Sequence, residues 1–292
     1  MILGYNTNGL AHHDLLEAIE MLASIGYRGV AITLDHRALN PFDPQLPQHL
    51  ERVQEALHRN SMAVVIETGA RYLLNPRQKH EPTLVSSRPE ERERRVDFLK
   101  RSIDIGCKLS ASCVSLWSGV VHGRADSGEI EERLVEGLLP VVRHAADRGM
   151  PLGFEPEPGM FVDTLTAYGE LLERLCQHVP AAELPKLTVD IGHLHCLGET
   201  PISEKLREWA DQIVNIHIED MRAGVHEHLM FGEGDIDFPP ILATLAEIGY
   251  NGPVNVELSR HSHCGPQAAA EAYWFLAPRI DAALHSSLTP DP

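Results

Sequence analysis

The chain has 292 residues and a formal net charge of −17. Hydrophobic residues make up 43% and charged residues 23%, which excludes a mainly disordered chain and allows one sizeable core. The acidic total disfavours nucleic acid, whose binders normally offer the phosphates a basic patch, and favours a neutral or weakly charged small molecule as partner.

The first short apolar run is residues 2–6. Leu15, Leu16, Ile19, Leu22 and Ala23 then fall at helical spacing, and Gly26 fits the cap that ends such a helix. Residues 29–34 form the second strand candidate. Helical spacing returns at Leu50, Val53, Ala56 and Leu57, before a third strand over 63–67. Residues 68–87 make the longest non-helical piece. A loop that long inside a compact domain is usually functional or mobile, and this one follows a strand, so it should overhang the active face. Residues 88–101 mix Glu and Arg at helical spacing, as an exposed helix with internal ion pairs does, and Gly106 fits its cap.

The fourth strand is expected at 113–117. Residues 126–133 open the next helix as a solvated face. It continues through Leu134, Leu138, Val141, Val142 and Ala145 to a cap at Gly149. Strands five to seven are expected at 152–155, 187–190 and 214–218. Gly249 caps the helix before the eighth, at 254–258. Residues 24–29 and 247–252 echo one another as a helix end, a glycine and a turn into a strand. The strands are brief and lack polar alternation, as in parallel sheets covered on both faces. Eight strand–helix units close an α/β barrel, so one domain over 1–285 is expected, with a flexible tail at 286–292.

No apolar run approaches the roughly 18–20 residues of a membrane span, and no basic stretch precedes the first strand. Neither a membrane segment nor a signal peptide is expected. The five scattered cysteines form no CxxC pair and suit the cytoplasm.

In such a barrel, the C-terminal strand ends line the active mouth. Strand five ends at Glu155, strand six at Asp190, strand seven carries His217 and strand eight carries Glu257. Four successive strands thus end in metal-competent side chains. With no sulfur among them, the set suits manganese, magnesium, cobalt or zinc. Glu157 competes with Glu155, but it follows Pro156 and reads as loop. Glu67 could touch substrate, back up a ligand or face water. Trp117 could stack on a sugar or roof the barrel. Arg260 and His263, close after Glu257, could hold a carboxylate or phosphate.

Val189-Asp190-Ile191-Gly192-His193, His217-Ile218-Glu219-Asp220 and Phe231-Gly232-Glu233-Gly234-Asp235-Ile236-Asp237-Phe238 resemble the xylose-isomerase-like TIM-barrel superfamily, over nearly the whole chain. That superfamily contains sugar isomerases and epimerases, inosose dehydratases and endonuclease-four-type apurinic endonucleases. The resemblance implies a single-domain TIM barrel with a one-metal site at Glu155, Asp190, His217 and Glu257. It implies that Glu155 and Glu257 flank the substrate, one taking a proton beside a carbonyl and the other returning it on the opposite side. A divalent cation would stabilise the enediolate. His193 is placed to bind a substrate oxygen.

The implied function is a metal-dependent isomerase or epimerase of a sugar or related polyol or keto acid. Homo-oligomers are common in the superfamily. The alternatives are a lyase or hydrolase of the same superfamily and a non-catalytic metal- or metabolite-binding protein. In the apurinic endonucleases an acidic residue and a histidine bind a further zinc with the strand-six histidine. The equivalent positions here are His193, His226 and His228, a candidate second metal site. The other endonuclease histidines fall near Glu67 and Trp117, where no imidazole stands, so nuclease activity is not expected.

Overall fold

The short Val- and Ile-rich runs and the amphipathic stretches alternate as strands and helices. In the first half these are β1 (Ile2–Asn6), α1 (Leu15–Ile25), β2 (Gly29–Thr33), α2 (Leu46–Arg59), β3 (Ala63–Glu67), α3 (Pro89–Leu109), β4 (Val114–Leu116) and α4 (Ser127–Ala146). Then come β5 (Leu152–Phe154), α5 (Leu165–Leu175), β6 (Lys186–Asp190), α6 (Ile191–Leu197), α7 (Ile202–Glu208) and β7 (Ile213–Ile218). The chain ends with β8 (Asp220–Arg222), β9 (Val225–Leu229), α8 (Phe238–Glu247), β10 (Pro253–Val256) and α9 (Gly265–Leu288). The structure, a computed structural model, describes residues 1–288. Of the tail expected at 286–292, the first three residues belong to α9 and residues 289–292 lie outside the described residues.

Eight strands close into a parallel barrel in the order β1-β10-β7-β6-β5-β4-β3-β2. Each expected strand is present to within two residues at either end. All five residues of β2 are buried, because helices cover the barrel outside and side chains fill it inside. The main core lies between strands and helices, with Ile32, Ile66, Leu116 and Ile216 meeting Ile19, Val53, Phe98 and Leu138. A smaller apolar cluster of Ala31, Val65 and Cys113, with Val214 against it, is separate from that core. Polar pairs that span neighbouring and opposed strands belong to the barrel interior. Asn255 donates to Asn215 (2.9 Å), and Asn215 donates to Glu67 across the barrel (3.3 Å).

The two echoing junctions fold alike. Tyr27 and Tyr250 are buried just before β2 and β10, and each donates its hydroxyl to a backbone carbonyl at 2.8 Å. Gly26, Gly149 and Gly249 have positive φ, as expected. Gly106 does not end its helix. α3 runs three residues further and Ser110 takes the left-handed position. Gly106 instead packs against β4, where a Cβ would stand 3.0 Å from Val114.

The charged face of α3 also needs correction. Arg101 pairs with Asp97 on the surface, but Arg95 is fully buried. Its guanidinium donates to the Thr68 carbonyl (2.7 Å) and lies 4.4 Å over the Trp117 ring. The hairpin β8–β9 was not anticipated. No helix among the described residues is long and apolar enough to cross a membrane.

Candidate metal centre

Alternation along the strands brings the chemistry to one end of the barrel. On β7, Asn215 and His217 share the inward face, and on β10 Asn255 precedes Glu257 by two. His217 is buried, with its two nitrogens divided between opposite tasks. Nδ1 lies 3.0 Å from Glu155, 2.9 Å from Glu257 and 4.0 Å from Asp190. Nε2 lies 2.9 Å from Glu67, which also accepts from Asn215. A proton on Nε2 donated to Glu67 leaves the Nδ1 lone pair facing the other three carboxylates.

Asp190 is similarly divided. Oδ1 accepts the backbone N–H of His193 at 2.9 Å and so caps α6, while Oδ2 is buried with no hydrogen-bond partner among the described residues. Glu155, Asp190, His217 and Glu257 offer four ligand atoms within 4.8 Å of one another. Hard oxygens, one imidazole and an orphaned buried carboxylate oxygen fit a divalent cation, the simplest partner for such converging charge. Burial pushes the pKa of Glu155 well above the ordinary range despite His217. Burial would raise Glu257 too, but contact with His217 outweighs it and holds that carboxyl low. Burial opposes charge on His217, yet Glu155, Glu67 and Glu257 raise its pKa well above the usual value.

The second expected cluster also comes together. Nε2 of His226 lies 3.1 Å from Nε2 of His193, and both rings lie within 6 Å of the His228 ring, at 5.4 and 5.9 Å between centroids. The hairpin explains this. His226 and His228 are two apart on β9, so both project from the same side of the ribbon over α6. Burial pushes His193 down to about 4. Burial also opposes charge on His228, but Glu219, Glu257 and Asp190 raise it to about 10.

Glu219 is the residue that sequence reasoning quoted but gave no role. It is fully buried, neither carboxylate oxygen has a hydrogen-bond partner among the described residues, and burial followed by Asp190 pushes its pKa well up. It lies 3.8 Å from Nδ1 of His228, and with Asp190 and His228 it forms a third group of close ligand atoms. Its spacing of two from His217 was the available clue. The helix beside it must carry glycine, since a Cβ on Gly192 would lie 2.0 Å from Glu219 Oε1.

Asp220, next in the same motif, organises the loop before α8. Its carboxylate accepts backbone N–H groups of Met221 (2.9 Å), Gly232 (2.8 Å) and Ile236 (3.2 Å). The close approach excludes a side chain at Gly234, whose Cβ would meet Asp220 Oδ1 at 2.3 Å.

These groups open into a pocket of about 400 Å³. Glu67, Trp117, His193, Arg260 and Glu157 all line it, as do Arg71, Lys79 and His80 of the long loop after β3. Glu67 is buried against His217, so it is not a solvated carboxylate. Burial, with Glu257 nearby, raises Glu157 to about 7. Arg95 covers one face of Trp117 and His80 meets the ring edge-on at 5.7 Å. His263 lies in a single turn of 3₁₀ helix, its exposed ring beside His261, and is not among the residues that line the pocket.

A closed parallel barrel with this strand-end set defines an α/β barrel carrying a candidate metal centre. The family model for the xylose isomerase-like TIM barrel matches residues 19–278, and the chain belongs to that family. An L-ribulose-5-phosphate 3-epimerase of Shigella flexneri is 23% identical over 249 residues, covering 83% of this chain and 81% of that protein. An inosose dehydratase of Geobacillus kaustophilus is 31% identical over 182 residues. That match covers 53% of this chain and just over half (56%) of the dehydratase. Both relatives are enzymes of this superfamily. Among solved structures, the IolI protein with a zinc atom superposes with a TM-score of 0.74 at 18% identity, covering 97% of this chain and 99% of that one.

Proposed function

We propose that this protein is a divalent-metal-dependent epimerase or isomerase of a sugar or a related polyol or keto acid. The observation that carries the reading is the placement of Glu155 and Glu257. They stand one residue past the ends of β5 and β10, strands on either side of β6 and β7, and both reach Nδ1 of His217 at about 3 Å. Glu155, Asp190, His217 and Glu257 would hold the ion, which would supply Lewis-acid stabilisation of a substrate oxyanion. Glu155 and Glu257 would serve as the proton-accepting and proton-donating pair on opposite sides of one carbon. Asn8 donates to Glu257 at 2.6 Å and fixes its orientation. His193 would bind a substrate oxygen. The epimerase relative of Shigella flexneri supports an epimerase, and the zinc in IolI supports a bound metal.

The test is to measure metal content, strip and restore the ion, and follow solvent deuterium exchange into a panel of ketoses. The expected result is one ion per chain in the primary set and exchange reduced about 10²–10⁴-fold in Glu257→Gln. Absence of metal, or unchanged metal affinity in Glu257→Gln, would overturn the reading.

The clustering of His193, His226 and His228 favours a second reading, a lyase or hydrolase with a further ion. Dehydration begins with the same proton abstraction, and the dehydratase relative supports it. A stoichiometry of two or more ions per chain, lowered by His226→Ala, would favour it over the first.

A further inference from the structure

We propose that the pocket mouth is an anion subsite, in which Lys79, Arg71 and Arg260 hold a phosphate ester or carboxylate borne by the substrate. This rests on reading the pocket as a sugar-processing site, and it narrows the substrate class to anionic sugars. All three cations line the same pocket as Glu155 and Glu257, in a chain whose net charge is −17.

Among the described residues, these cations form no ion pair within 4.0 Å with Glu67, Glu155, Asp190 or Glu257. Among the described residues, the ion pairs of Glu67, Glu155, Asp190 and Glu257 are all with His217 or His193. Lys79 has no carboxylate within 4.0 Å among the described residues. Arg260 pairs with Glu227 through one nitrogen (3.1 Å) on the exposed rim. Arg71 spends one nitrogen on the Asn8 carbonyl (2.6 Å), which leaves the rest of its fork for a ligand. The three sit close enough to repel. Burial is the largest cause that lowers the pKa of Lys79; Arg71 and Arg260 lower it further, while Glu157 and Glu257 raise it. Three cations lining one pocket beside Glu157 and Glu257 offer an anion donors and positive charge, and guanidinium forks suit carboxylate and phosphate alike.

The loop holds this arrangement under backbone strain. Ala70, Arg71 and His80 have φ of 57°, 43° and 68°, a region that residues other than glycine rarely adopt. The strained residues bracket Lys79 and include Arg71. Three contacts pin the loop: Arg95 on the Thr68 carbonyl, His80 on the Gly69 carbonyl and Arg71 on Asn8. Asn8 in turn holds Glu257, so the anion subsite and the proton-transfer pair share one anchor. A substrate spanning both would place its reacting carbon at the acidic base and its charged group at the rim.

The test is calorimetric titration of the metal-loaded protein with a ketopentose 5-phosphate, the same ketopentose without phosphate, and a hexuronate. The subsite predicts that one charged sugar binds at least about tenfold tighter than the neutral one, and that Lys79→Gln shrinks that ratio about tenfold. The phosphate and uronate arms identify which anion is held. Equal affinity for charged and neutral sugars, or a Lys79→Gln effect that is the same on both, overturns the proposal. Deuterium exchange on the same sugars separates the two readings. Exchange without charge preference removes only the anion subsite. Lys79-dependent preference without exchange on any sugar removes only the epimerase.

Discussion

Glu67 Oε1 lies 2.9 Å from Nε2 of His217, across the ring from the 2.9 and 3.0 Å contacts that Nδ1 makes with Glu257 and Glu155. The imidazole is therefore held from behind by one carboxylate while it faces others. Glu67→Gln keeps an acceptor but removes the negative charge that holds the proton on Nε2, and so weakens the tautomer that presents the Nδ1 lone pair. Metal affinity should fall about 10–100-fold with unchanged stoichiometry, as measured by competition with a chromogenic chelator. Unchanged affinity would mean that His217 is oriented by packing alone.

Gly192 and Glu219 are packed too closely for any side chain between them. Gly192→Ala should cost about 2–3 kcal/mol, since the carboxylate must move in a buried site. Adding Glu219→Ala should recover part of the loss. Thermal unfolding of the single and double variants reads this directly, and additive losses would place the clash elsewhere.

Asp220 holds three backbone N–H groups around the turn before α8. Asp220→Ala leaves them without that acceptor and should cost about 2–4 kcal/mol. Hydrogen exchange should quicken over residues 230–237, while the barrel strands keep their protection.

His80 gives a pH signature. Burial depresses its pKa to about 4 from 6.5, so the unfolded chain binds the extra proton between those values. Its contribution to stability is complete above pH 6.5 and is lost as pH falls towards 4, by about 3 kcal/mol at most. Melting temperature measured against pH should therefore drop less steeply over that window in His80→Gln than in the parent. His193 is depressed by burial in the same direction, so some slope should remain in the variant.

The sequence by itself determined the barrel strands, their number and the residues at their ends. Short β-branched runs buried on both faces leave few alternatives, and a period of two fixes which side chain reaches the mouth. That is why Glu155, Asp190, His217 and Glu257 were legible from strand ends alone, and why the same period could have marked Glu219. Tertiary structure decided what composition and local pattern do not contain. Arg95 looks like one more charge on a mixed helix face, and only the docking of α3 against Thr68 and Trp117 buries it. The β8–β9 ribbon has little apolar alternation to announce it, so it is fixed by pairing of Asp220 with Leu229 and of Arg222 with Val225. His263 follows Glu257 closely in sequence, yet in a 3₁₀ turn it is exposed and does not line the pocket. The acidic total of the chain likewise hides a mouth lined by Arg71, Lys79 and Arg260, because net charge is a sum over the surface and a pocket is a place on it.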